Sequence, residues 1–128
     1  VTGYDRGAAY ERRVKADLEG HGYTVIRSAG SKSPVDLIAC KPGEVLFVQC
    51  KTGIVPANQS SVSGEEWNHL LEAAVFAGAD PVIADRDPVH PLRIRYRLIV
   101  APHWPGSHEW PAARWGPDDL EAHLARRR

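Results

Sequence analysis

The sequence predicts an α/β domain built on a central mixed β-sheet flanked by helices. Three observations carry this expectation. Patterned segments run in the order helix, three strands, helix, two strands, helix along 128 residues, a length that suits one domain with one core. Two neighbouring runs, 35–41 and 45–51, are almost continuously apolar, which marks strands covered on both faces. Between them Pro42-Gly43 is a turn signal, so the two runs form a hairpin.

Residues 5–21 read as a helix, with Ala8, Ala9, Val14 and Leu18 as its apolar stripe and Gly20 and Gly22 at its end. Thr24–Arg27 is a short strand of β-branched residues, and Ser28 to Pro34 is a turn of small residues. After the hairpin, Thr52 to Gly64 is rich in Ser, Gly, Asn and Gln and reads as a mobile loop. Ser63 followed by Glu66 is a capping-box signature. It opens a helix to about Ala77 with Trp67, Leu70, Leu71, Ala74 and Val75 facing inward, and Gly78 stops it. Pro81–Ala84 is a short strand.

Arg93–Leu98 alternates polar and apolar and runs on into Ile99-Val100, a half-exposed strand. Its arginines Arg93, Arg95 and Arg97 share one face, which reads as a solvated edge that discourages pairing rather than as a DNA-facing stripe. Residues 101–117 hold four prolines and the tryptophans Trp104, Trp110 and Trp115, so they form an ordered arm. The arm packs either on the domain's own core or across a dimer interface. His103 and His108 within it read as surface groups. Asp118 to Arg128 is a short terminal helix. Residues 1–128 are expected to be one domain.

No apolar run approaches the ~20 residues of a membrane helix, and no export signal is evident at the start. Cys40 and Cys50 lie on adjacent strands, but a turn at Pro42-Gly43 sets Cys40 opposite residues near 45. A disulfide is therefore not expected, and a reducing cytoplasmic setting fits. Net charge is zero, which weighs mildly against nucleic-acid binding by bulk electrostatics. The basic residues of the first 60 positions still permit a basic face, and Arg126-Arg127-Arg128 adds a basic end.

The chemistry is concentrated at one end of the hairpin. Asp36 opens the first strand, Gln49 and Lys51 close the second, and the turn sets the start of one beside the end of the other. Lys51 projects from the same face as Gln49, two residues away. An acid, an amide oxygen and an ammonium gathered there suit a hard divalent cation and a phosphate. Glu11 on the first helix is the best candidate for a second carboxylate. Taken alone, Asp36, Gln49 and Lys51 fit a strand cap and a solvated lysine as well as a metal site, because so short a pattern recurs by chance.

The flanking segments decide between these. Arg6-Gly7-Ala8-Ala9-Tyr10-Glu11-Arg12, the run from His21 through Arg27-Ser28-Ala29-Gly30-Ser31 to Asp36-Leu37-Ile38-Ala39, and Val48-Gln49-Cys50-Lys51 closely resemble the archaeal-type Holliday-junction resolvases of the PD-(D/E)XK nuclease superfamily. The resemblance is strong over the first half of the chain and weaker over 65–84. It implies a restriction-endonuclease-like core, and a Mg2+-dependent endodeoxyribonuclease, with Mn2+ able to substitute. It further implies a homodimer that nicks a four-way DNA junction at symmetric positions. Carried over by position, Glu11, Asp36 and Gln49 would be metal ligands and Lys51 the catalytic lysine. Arg6, Arg12, Arg27, Ser31 and Lys32 would bind DNA, with Arg12 and Arg27 on phosphates and Ser31 at the rim of the site.

One departure matters. The family usually has Glu where Gln49 stands, so the site is short of one negative charge. Weaker Mg2+ binding is expected, and a Gln49→Glu replacement is expected to raise activity or lower the metal requirement. The alternatives are a catalytically weak or inactive junction-binding protein, and a related nuclease acting on flaps or forks.

Overall fold

The structure, a computed structural model, describes residues 3–28 and 33–117. Ser31, Lys32 and the helix expected over 118–128 lie outside the described residues. Helix α1 (Gly3–Gly20) leads into β1 (Thr24–Arg27), then the hairpin of β2 (Leu37–Lys41) and β3 (Glu44–Cys50). Helix α2 (Gly64–Ala77) follows, then β4 (Asp80–Arg86), β5 (Ile94–Ile99) and β6 (Ala112–Arg114). Among the described residues the strands form one sheet in sequential order, β1 to β6. Only β3 and β4 run parallel, and α2 supplies the crossover that such a pair requires.

Alternation along the strands divides the core in two. Leu37, Ala39, Leu46, Val48, Val82, Ala84, Tyr96 and Leu98 pack with Tyr10, Val14 and Leu18 of α1. Ile83 and Ile99, with Phe47 and Ile38 beside them, pack with Trp67 and Leu70 of α2. A helix on each face explains why the hairpin strands are nearly all apolar.

The hairpin register follows from the turn at Pro42-Gly43: Cys40 pairs with Val45 and Leu37 with Val48. Gly43 has φ 75°, which a residue with a Cβ rarely adopts, and both cysteines are free. Helix α2 begins with the complete capping box of Ser63 and Glu66 and ends on Gly78 in the left-handed region.

Two inward assignments change. On α1, Tyr10 rather than Ala9 completes the buried stripe, one turn before Val14. On α2, Val75 is 71% exposed, because it lies about 100° round the helix from Ala74, past the face that meets the sheet.

The largest difference concerns β5. It is not a solvated edge, since β4 and β6 flank it. Arg95 and Arg97 converge on Asp85 of β4, which is 0% exposed. Arg95 grips it with two bonds of 2.7 Å, Nε to Oδ1 and Nη2 to Oδ2, and Arg97 Nη2 adds one of 3.1 Å to Oδ2. The same guanidiniums donate to the carbonyls of Ala57 and Gln59, and Ser61 Oγ lies 3.5 Å from Asp85 Oδ2. The connection between β3 and α2 is therefore tied down rather than loose.

The aromatic arm resolves toward the core. Trp115 is buried edge-to-face on Tyr96, and Trp110 packs edge-on against Trp67. His103 stacks on Trp110 at 3.8 Å, while Asn68 of α2 both donates to and accepts from the His103 backbone. Trp104 stays exposed. The arm also contributes β6, a strand too short to show in the sequence pattern. No helix among the described residues is long and apolar enough to cross a membrane.

Candidate active site

Where β2 begins and β3 ends, the hairpin delivers the expected juxtaposition. The Asp36 N–H donates to Val48 O at 2.8 Å, and the Cys50 N–H donates to Asp36 Oδ2 at 2.8 Å. One bond sets the backbone of Asp36 and the other aims its carboxylate. Lys51 follows in register because its N–H bonds Ala84 O of β4 at 3.0 Å.

A cleft of about 370 Å³ opens there. Glu11, Arg27, Asp36, Gln49 and Lys51 all line it, with Gly7, Ala8, Ser28 and Ser33 around them. Glu11 comes from α1 and is held by Arg27 of β1, Nε to Oε2 at 2.9 Å. Arg6 and Arg12 are exposed on α1 and do not line the cleft. Glu66 and His69 of α2 do line it, and neither was expected there. Glu66 Oε2 accepts from Lys51 Nζ at 2.9 Å and from Gln49 Nε2 at 3.0 Å. The capping box placed Glu66 at the head of α2, and only the packing of α2 on β3 turns its carboxylate toward the hairpin.

Burial raises the Asp36 carboxyl from 3.8 to about 6. The Cys50 N–H and Lys51 work against that, and the nearby charges of Glu11 and Glu66 reinforce it. Glu66 moves the other way: burial disfavours its charge, but the hydrogen bonds from Lys51 and Ser63 outweigh this and hold it below its usual range. Burial, then the neighbouring Asp36 and Glu11, keep the Cys50 thiol protonated, which removes it as a nucleophile.

A consequence is measurable. The neutral form of Asp36 is the one the fold tolerates, so its contribution to stability is complete below its ordinary value. That contribution is lost as pH rises through about 6. Thermal melts in EDTA should show this falling limb, and Asp36→Asn should flatten it. Equal slopes in the two proteins would exclude Asp36 as its source.

The donor set suits a hard cation. Glu11 and Asp36 offer carboxylate oxygens, and Gln49, 5% exposed, has its Oε1 buried with no hydrogen-bond partner among the described residues. An orphaned carbonyl oxygen beside two carboxylates is what a bound divalent ion would satisfy. Among the described residues no three His, Cys, Asp or Glu side chains group to hold a metal, so this set depends on the amide.

A mixed sheet with a helix on each face and an acidic, lysine-bearing cleft at the hairpin end defines the restriction-endonuclease-like class of nuclease fold. The structure of Archaeoglobus fulgidus Hjc, a Holliday junction resolvase from an archaeal hyperthermophile, is similar to this one with a TM-score of 0.56. The two are 26% identical, over 73% of this chain and 70% of that one. The archaeal Holliday junction resolvase (Hjc) family matches residues 2–99, and the chain belongs to that family. The crossover junction endodeoxyribonuclease Hjc of Methanocaldococcus jannaschii is 41% identical over 81 residues, 63% of this chain. The match spans 59% of that relative's length.

Proposed function

We propose that this protein is a metal-dependent, structure-selective endonuclease that resolves four-way DNA junctions by symmetric nicking. The observation that carries the reading is the convergence of Glu11, Asp36, Gln49 and Lys51 on one cleft in a member of a resolvase family. Residues 1–128 act as one nuclease domain in this reading, and the protein works as a homodimer, because symmetric nicks on two strands need two sites.

Glu11, Asp36 and Gln49 would hold the cation, with Mg2+ preferred and Mn2+ accepted. Bound there, it would supply Lewis acidity to the scissile phosphate and lower the pKa of an attacking water. The chain's own residues do the rest. Asp36, aimed by the Cys50 N–H, presents its carboxylate at the hairpin end and would fix the cation's place there. Lys51 sets a positive charge where the transition state gathers negative charge on the phosphoryl oxygens. Arg27 anchors Glu11 and offers its remaining N–H groups to a neighbouring phosphate. Arg6 and Arg12, exposed on α1, would meet the DNA backbone farther from the cut, and the family resemblance assigns Ser31 and Lys32 to DNA binding as well. Phosphate contacts of this kind position a substrate by shape rather than by sequence.

Gln49 favours a second reading, a junction-binding protein with weak or no cleavage, since an amide brings no charge to the cation. End-labelled four-way junction, linear duplex and flap, each incubated with Mg2+, Mn2+ or EDTA, separate the two. Paired symmetric nicks in the junction alone, dependent on the cation, are expected. Binding without nicks in either metal leaves the second reading, and preferential cutting of the flap points to another branched substrate.

A further inference from the structure

We infer that Glu66 is a positioning residue that holds the Gln49 amide by its N–H end and so keeps its oxygen free for a cation. The inference rests on the reading that the cleft takes a divalent cation. An amide side chain has two chemically opposite ends, and only the oxygen end attracts a cation. At position 49 a glutamate would present an oxygen in either orientation, whereas a glutamine must be prevented from turning over. An ionised carboxylate only accepts hydrogen bonds, so a Glu66 oxygen 3.0 Å from the Gln49 amide requires the N–H end to face it. The oxygen is then left on the other side, buried and without a partner.

Glu66 is itself fixed. Its Oε1 accepts from the Ser63 N–H at 3.2 Å, closing the capping box at the head of α2. Its Oε2 takes the Gln49 amide and, at 2.9 Å, the Lys51 ammonium. With the Lys51 ammonium on Oε2 and the Ser63 N–H on Oε1, both oxygens of Glu66 act as acceptors. One carboxylate thus orients both groups that close the hairpin, the amide of Gln49 and the ammonium of Lys51.

It also returns a negative charge to the neighbourhood of position 49, one hydrogen bond away from where a glutamate would carry it. The two residues form a matched pair. A glutamate at 49 opposite Glu66 would set two carboxylates within hydrogen-bond distance, where like charges repel and neither has a proton to share. The expected gain from Gln49→Glu alone is therefore offset unless Glu66 changes with it.

The test is a double-mutant cycle on Mn2+ affinity, read by electron paramagnetic resonance on the DNA-free protein. The proteins are wild type, Glu66→Gln, Gln49→Glu and the double variant, with Asp36→Ala defining the signal that belongs to the cleft. Glutamine is an accepted capping-box residue at this position, so Glu66→Gln keeps the helix start. In the wild-type background Glu66→Gln should weaken Mn2+ binding roughly tenfold or more, the usual effect of removing a group that orients a ligand. In the Gln49→Glu background it should cause no loss or a gain. Equal losses in both backgrounds would reduce Glu66 to a structural cap, and no loss in either, or no Mn2+ signal sensitive to Asp36→Ala, overturns the inference as well. Junction nicking separates this from the proposed function: nicking with no coupling between 49 and 66 sinks only the inference. Coupling without nicking supports it and sinks only the nuclease reading.

Discussion

Asp36→Asn should abolish nicking of a four-way junction, by roughly a thousandfold or more, while leaving the protein folded and able to bind the junction. The side chain is isosteric, and its carbonyl oxygen can still accept the Cys50 N–H that now reaches Asp36 Oδ2 at 2.8 Å. What disappears is charge. Of the three carboxylates that line the cleft, Glu11, Asp36 and Glu66, the last already engages Lys51 and Gln49, so with a neutral amide at 49 the site has no acid to spare. Glu66 is no replacement, since Lys51 and Gln49 occupy its Oε2 and the Ser63 N–H its Oε1. Single-turnover cleavage with Mg2+ and with Mn2+, beside a binding assay in EDTA, reads the effect. Residual cleavage within tenfold of wild type in either metal would mean that Asp36 does not hold the reacting centre. The substitution should also stabilise the EDTA-treated protein above pH 6, because the wild-type carboxylate is ionised there against the pull of its burial.

The second large effect falls on stability. Asp85→Ala should cost about 3–5 kcal/mol, the range seen when one partner of a buried ion pair is removed. Asp85 is completely enclosed, and Arg95 and Arg97 spend three hydrogen bonds on it. Arg97 is 7% exposed, and burial already pulls its guanidinium below its usual range against the attraction of Asp85. Without that carboxylate two guanidiniums remain in the fold with a much poorer set of acceptors. Urea unfolding measures the loss, and a change under 1 kcal/mol would show that solvent reaches the arginines. The cluster also holds the carbonyls of Ala57 and Gln59. Limited proteolysis of Asp85→Ala should therefore cut first between β3 and α2. Cutting there no faster than in wild type would leave the connection held by other contacts, such as Arg86 on Thr52 O.

These two carboxylates also show how far the sequence could be read. Asp36 was legible because its partners are local: a Pro-Gly turn and the two-residue period of strands suffice to set it against Gln49 and Lys51. The capping box was legible for the same reason, being a pattern of residues three apart. Asp85 was not. It sits at the end of an apolar run, and nothing local to it names Arg95 and Arg97 as partners. Their alternation suggested a wet edge because the strand beyond them, β6, is only three residues long. Val75 misled in a similar way, since apolar spacing describes a helix face without saying how wide a face the sheet will cover.

Turns, caps and periodicities act over a few residues, so the sequence sufficed for the order of elements through β5, the hairpin and its register, the ends of α2, and the grouping of Asp36, Gln49 and Lys51. The tertiary structure alone decided which helix covers which face, that the arginines of β5 are enclosed, and that Glu66 reaches Gln49 and Lys51. Those outcomes depend on contacts between segments far apart in the chain. Their geometry is set by sheet order and helix packing, which no local pattern encodes. The difference is greatest at Gln49: its residue type was plain from the start, but only the carboxylate arriving from α2 determines which end of its amide is bonded and which is left without a partner.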